Sequence, residues 1–180
     1  MAYLKLVFLI LVANVAIAQT KPVLRMVELY EKKVTIMLPD DFTPMHYAQV
    51  ALRYDPKSPP DYVYSGIDKN VNIAFSNSYQ IAPTDEAGMK ELINNLKGSL
   101  EKTHPALFWI GTSTSIQSGK PVGKLEFKSL SPDNLLVYNI LYLLNVKDQV
   151  VVANFSCECS SADALVATGK QVMASIKLLK

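Results

Sequence analysis

Much of what catalytic and cofactor chemistry requires is scarce in this chain. Histidine occurs only at 46 and 104, and cysteine only at 157 and 159. A structural zinc site needs four convergent thiol or imidazole ligands. Two thiols two residues apart, with both imidazoles distant in sequence, do not make such a set, so no metal is expected. Glycine is equally sparse, at 7 residues in 180. None of them builds a phosphate-cradling loop, and none frames a serine as a nucleophile elbow. No cofactor is expected, and a hydrolase ranks last among the readings. The acid pairs Asp40-Asp41 and Asp85-Glu86 fall at a strand exit and a helix start. A helix dipole favours acids at its start, so their role is read as structural.

Charge of one sign is lacking too. Eighteen basic and sixteen acidic side chains leave +2, and Lys32-Lys33 is the only adjacent basic pair. That excludes the electrostatic footprint of a nucleic-acid or anionic-membrane binder. Long apolar runs are missing beyond residue 18. The run Leu6–Val12 follows the short basic Met1–Lys5 and precedes the small-x-small motif Ala16-Ile17-Ala18, the three-part layout of a secretory signal peptide. It falls short of the roughly 20 residues that span a bilayer. The expected organisation is a signal peptide over 1–18 and one domain over 19–180, exported to the periplasm or beyond, with no integral span after cleavage.

Export makes a disulfide chemically possible. On a strand, residues i and i+2 share a face with Cα atoms about 6.5–7 Å apart, the far edge of what a disulfide spans. Cys157 and Cys159 are therefore expected to be buried and reduced, with a strained bond as the alternative. The glycosylation sequon Asn154-Phe155-Ser156 falls inside a predicted strand and is read as accidental.

Apolar content near half suits a globular core, and its periodicity organises the last third. Val122–Leu130, Leu135–Val146 and Val150–Cys159 are three apolar runs separated by Ser131-Pro132-Asp133-Asn134 and Lys147-Asp148-Gln149. The middle run is apolar at both parities: Tyr138, Ile140, Tyr142 and Leu144 on one, Val137, Leu141 and Leu143 on the other. Such a strand is covered on both faces and sits centrally. A closing helix starts at Ser160 with Asp163 three residues on, and buries Leu165, Val166, Val172, Met173 and Ile176.

Earlier in the chain, Val23–Tyr30 and Val34–Leu38 read as strands about the turn Glu31-Lys32-Lys33. Thr43-Pro44 reads as an N-cap followed by a first helical proline, opening a short helix to Arg53 with the stripe Tyr47, Val50, Ala51 and Tyr54. Tyr62–Ser65 and Val71–Ser76 resume as strands, and Asn77–Pro83 is a polar connection. A longer helix, capped by Thr84 or Asp85, runs to about Lys102 with Met89, Leu92, Ile93, Leu96 and Leu100 buried. Ala106–Ile116 is a further strand. Runs of strands broken by long helices indicate an α+β fold, an antiparallel sheet with helices on both faces.

The carrying residues Val34-Thr35-Ile36-Met37-Leu38-Pro39, Arg53-Tyr54 with Pro56, Pro59 and Pro60, Val71–Phe75, Tyr138-Asn139 and Asn154–Cys157 resemble the small exported proteins of the PsbP-like family. The resemblance covers most of the chain after residue 18. It implies an α/β/α sandwich, a scaffold that binds other macromolecules, and no common catalytic set.

The expected function is an exported, non-catalytic domain that binds a protein or peptide partner. Its surface is sought at Arg53, Tyr54, Tyr62 and Tyr64, since Arg and Tyr dominate binding hot spots and the intervening prolines stiffen the loop. The rival reading is a small-molecule carrier with a pocket between sheet and helix lined by Trp109, Tyr138 and Tyr142. The signal-peptide reading predicts that N-terminal sequencing of the exported protein begins at Gln19; material still carrying Met1–Lys5 would overturn it.

Overall fold

The computed structural model describes residues 23–66, 71–104, 106–131, 133–159 and 162–179, and the side chains of 162–164 are not among them. The segment 1–18 and the helix cap expected at Ser160 lie outside the described residues.

The elements in order are β1 (Leu24–Leu29), β2 (Val34–Pro39), β3 (Thr43–Pro44), α1 (Tyr47–Arg53), β4 (Tyr62–Ser65) and β5 (Val71–Ile81). Then come α2 (Glu86–Thr103), β6 (Phe108–Gln117), β7 (Lys120–Leu130), β8 (Leu136–Val146), β9 (Gln149–Glu158), α3 (Ala162–Ala174) and β10 (Lys177–Leu178). Every pairing is antiparallel. A seven-stranded sheet runs β3-β4-β5-β9-β8-β7-β6, and β1, β2 and β10 form a separate three-stranded sheet. Two tight hairpins set the register of the last four strands. Ser118-Gly119 and Lys147-Asp148 both have positive φ at each central residue, the twist-matched turn of two-residue hairpins.

Strand alternation then sorts side chains to two faces. On the front, Ile73 and Phe75 of β5, Val151, Ala153 and Phe155 of β9, and Tyr138, Ile140 and Leu144 of β8 form one core. Val172 and Met173 of α3, Ile176 just beyond its end, and Val34, Ile36 and Leu38 of β2 close over it. On the back, Leu141 and Leu143 pack with Leu125 and Phe127 under Met89 and Ile93 of α2. A small back cluster joins Val50 of α1 to Val63 and Ala74. The two-sided burial expected of Leu135–Val146 is present from Tyr138 onward, while Leu135 and Leu136 stay 46% and 37% exposed. The front cover is not helix alone, since the small sheet shares it with α3. That helix reaches the sheet closely only because of Gly169, where a Cβ would stand 2.3 Å from the Phe155 ring.

Three local expectations are corrected. Thr43-Pro44 does not start a helix. Both residues pair with Ser65 and Tyr64 as an edge strand, and Met45 N–H donates to the Val63 carbonyl at 2.8 Å. The chain stays extended to that point, so His46 becomes the cap, its Nδ1 accepting from Ala48 N–H. A proline fits a sheet edge as well as a helix start, which is why local chemistry could not separate the two. The helical stripe also shrinks: Val50 is buried and Tyr54 half-buried, while Tyr47 is 79% exposed, because so short a helix sits on the sheet rim. Asn77–Ile81, read as a connection, extends β5 and reaches β9 across a register shift.

The front core also encloses one carboxylate. Glu126 of β7 is buried. It accepts from the Tyr138 hydroxyl and pairs with Lys124 and Lys170 Nζ, each at 3.0 Å. Lys170 belongs to α3, so the cluster ties helix to sheet. Burial alone would raise this carboxyl; the hydrogen bonds from Tyr138, Lys170 and Lys124 outweigh it and bring the pKa down to about 2. Burial and the same carboxylate push the Tyr138 hydroxyl up.

Two measurements follow from this packing. Adjacent Leu143 and Leu144 serve opposite cores, so Leu143→Ala and Leu144→Ala should each cost about 2–5 kcal/mol in denaturant unfolding; a one-sided strand would lose stability at only one of them. For Glu126, the folded pKa lies below the ordinary 4.5, so its contribution is present above pH 4.5 and is lost as pH falls toward 2. Glu126→Gln should destabilise by about 1–3 kcal/mol near neutrality, with the gap to wild type closing near pH 2. A gap that stays constant across that range would remove the carboxylate as the cause.

Candidate functional site: a polar cleft on the back of the sheet

The back face is only partly covered. α2 lies over β6, β7 and the adjoining part of β8, while α1 lies over β4 and β5. Between them the floor is β9 with its neighbours. The back-facing residues of β9 run Val150, Val152, Asn154, Ser156 and Glu158, so polarity changes along one strand. At the apolar end, Val150 and Val152 join Leu92, Leu96 and Leu143 in a groove of about 350 Å³ beside α2. At the polar end, Ser156 and Glu158 join Asn72 of β5 as the floor of a larger cleft, about 480 Å³. Leu52 and Arg53 of α1 form one wall, and Ser131, Asp133 and Leu135 from the β7–β8 connection form the other.

Strand register builds the floor. Asn72 and Asn139 flank Ser156 from either side, and Asn139 Nδ2 donates to Ser129 Oγ at 3.2 Å. The Asn72 amide, oriented so that both ends are satisfied, accepts from Arg53 Nη1 at 3.3 Å and donates to the Val71 carbonyl at 3.2 Å. Next along β9, the buried Oδ1 of Asn154 has no hydrogen-bond partner, an unmet acceptor of the kind that costs about 1–3 kcal/mol. The walls differ in character from the floor. Leu52 is 86% and Leu135 46% exposed, apolar surface left in water on both sides of a polar strip.

The two thiols adjoin this region without serving it. Cys157 is buried and Cys159 half-buried, and no disulfide joins them. Burial, reinforced by Cys159, pushes the Cys157 thiol up to about 11. At neutral pH it is therefore protonated, whereas a reactive cysteine needs thiolate. Among the described residues, no group of three His, Cys, Asp or Glu side chains is placed to hold a metal ion. The cleft can donate and accept hydrogen bonds and shed apolar surface, which is the chemistry of recognition.

The four residues proposed as a partner surface divide between faces. Arg53 is exposed and reaches the cleft. Tyr54 packs against the Val50 cluster on the same face. Tyr64 belongs to the front core. Tyr62 sits edge-on to Tyr30 with ring centroids 5.1 Å apart, and Tyr30 in turn donates to Asp61 at 2.7 Å. Tyr62 does line a separate rim pocket of about 300 Å³ with Pro59, Pro60 and Tyr47. The pocket imagined for a carrier is divided by the sheet: Tyr138 and Tyr142 pack on the front, while Trp109 packs on the back against Phe127 and donates to Glu101. The sequon is unsuited to modification in the fold, since Phe155 is fully buried in a strand paired on both sides.

Sequence reasoning missed the floor itself. Its signal was present as polar residues on one parity of the last run, Asn154, Ser156 and Glu158, facing Asn139 in the middle run. A central strand that turns polar on one parity marks where its cover stops. Among the described residues, no helix is long and apolar enough to cross a membrane.

No protein-family model matches the chain, and no curated protein matches it in sequence. Among solved structures it is similar to cyanobacterial PsbP (CyanoP) from Synechocystis sp. PCC 6803. The TM-score is 0.63 at 12% identity, over 90% of this chain and 96% of that one. It is similar also to the Ran-binding protein Mog1p of Saccharomyces cerevisiae, with TM-score 0.55 at 14% identity, over 88% of this chain and 96% of that one. At such identities the likeness speaks for the backbone alone: the chain has the PsbP-like fold, an α/β/α sandwich.

Proposed function

We infer that this is an exported, non-catalytic binding domain whose back-face cleft takes a segment of a partner protein in the cell envelope or outside it. The observation that carries the reading is the pairing of exposed leucines with a polar floor. Leu52 and Leu135 offer apolar surface to a partner's side chains, while Asn72, Ser156, Glu158 and Arg53 offer donors and acceptors to its polar groups. Arginine beside apolar anchors is the composition of a hot spot. Export rests on the three-part N-terminus. That Mog1p is named a Ran-binding protein supports a scaffold of this shape serving protein recognition, by analogy of fold.

A carrier function draws support from the cleft's size, which falls in the roughly 300–1,000 Å³ range of ligand pockets. Those pockets enclose their ligand in mainly apolar walls. An open cleft with a polar floor suits a peptide better.

Affinity capture on residues 19–180, followed by calorimetry with the captured partner, tests the reading. Leu52→Ala and Arg53→Ala should change stability by no more than about 0.5 kcal/mol, as at other surface sites. Each should weaken binding by at least about 2 kcal/mol, near thirtyfold. Tyr62→Ala, outside the cleft, should leave affinity unchanged. If affinity survives the first two and falls with Tyr62, the partner surface belongs to the rim pocket instead.

A further inference from the structure

The seven-stranded sheet has two edges, and only one is blunt. At one end β3 is two residues long and contains Pro44. At the other, β6 presents ten residues, and no described strand pairs with its outer side. Proteins protect open edges with charge, proline, bulges or brevity. Phe108–Gln117 has no charged residue and no proline. Its register shift is confined to Trp109–Gly111, and Thr112–Gln117 pair regularly with β7. Phe108, Ile110 and Ile116 are 64%, 50% and 53% exposed along it.

We propose that β6 is a self-association seam, pairing antiparallel with β6 of a second copy about a two-fold axis at Ser113. The occupant follows from the strand's own order. Ile110-Gly111-Thr112-Ser113-Thr114-Ser115-Ile116 reads almost alike in both directions. An antiparallel copy centred on Ser113 therefore sets Ile110 opposite Ile116, Gly111 opposite Ser115 and Thr112 opposite Thr114.

Face parity agrees with that register. Thr112 and Thr114 stand opposite Leu125 and Gly123 of β7, both on the back, while Gly111 and Ser115 stand opposite Glu126 and Val122, both on the front. Each of these two pairs thus falls on one face of a continuous sheet, as a two-fold axis normal to the sheet requires. Cross-strand pairs of threonines and of β-branched residues are favourable, and an uncharged strand meets no repulsion from its own copy. The seam is separated from the cleft floor by β7 and most of β8, so the two proposals stand independently.

The test is sedimentation equilibrium on residues 19–180 over a range of concentrations. The wild type should show reversible monomer–dimer association. Ser113 is exposed and lies outside both cores, so Ser113→Glu leaves the packing of one copy unchanged while setting two carboxylates together on the axis. It should keep the wild-type melting temperature and weaken association by about fivefold or more, the scale of like charges placed directly opposite. Mixing Ser113→Glu with Ser113→Lys should restore the dimer mass. A wild type that stays monomeric throughout overturns the proposal, as does a dimer that Ser113→Glu leaves unchanged. Association only with a different protein's strand also overturns it.

Discussion

β8 and β9 leave water only if both of their faces are covered, and the rest of the architecture answers to that requirement. β8 is apolar at both parities over most of its length and β9 over Val150–Ala153, with Ile140, Leu144, Val151, Ala153 and Phe155 at 0% exposure on the front and Leu143 at 1% on the back. No single layer can shield two faces. The front is closed by α3 and the β1-β2-β10 sheet, the back by α2 and α1. Close approach decides how well each closure works. Gly169 lets α3 descend onto Phe155, and Gly123 leaves room for Met89 and Ile93 of α2.

Cover is incomplete where β9 turns polar, and the candidate site lies there. Asn72, Ser156 and Glu158 tolerate water, so nothing compels another helix to lie over them. The unmet acceptor of Asn154 marks the same boundary from the inside. Leu52 and Leu135 are the reverse case, apolar side chains that the domain's own packing does not use. Surface left unused by folding is free to be used in binding, the physical link between fold and proposed function.

Charge is treated differently on the two sides. The front encloses Glu126 and compensates it through Tyr138, Lys124 and Lys170. A buried carboxylate with three partners is held ionised, and the cluster fixes α3 in place. Lys147–Glu31 and Lys32–Glu28, by contrast, are surface pairs of the kind that contributes little.

Much of this was legible in the residues. The α+β class, the long capped helix with its Met89–Leu100 stripe, the four-strand run at the end and the two-sided burial of the middle strand all rest on periodicity, which local spacing expresses directly. Tertiary structure decided the rest, because it depends on partners distant in the chain. Thr43-Pro44 carries the local chemistry of a helix start and became an edge strand when Met45 met the Val63 carbonyl. Tyr62 and Tyr64 were grouped with Arg53 by nearness in sequence, yet β4 turns them to the face opposite α1. Trp109 and Tyr138 each suit a pocket, but strand parity puts the sheet between them. Periodicity tells which residues want cover; only the assembled sheet determines which of them receive it, since that depends on how far a helix reaches across strands it does not adjoin in sequence.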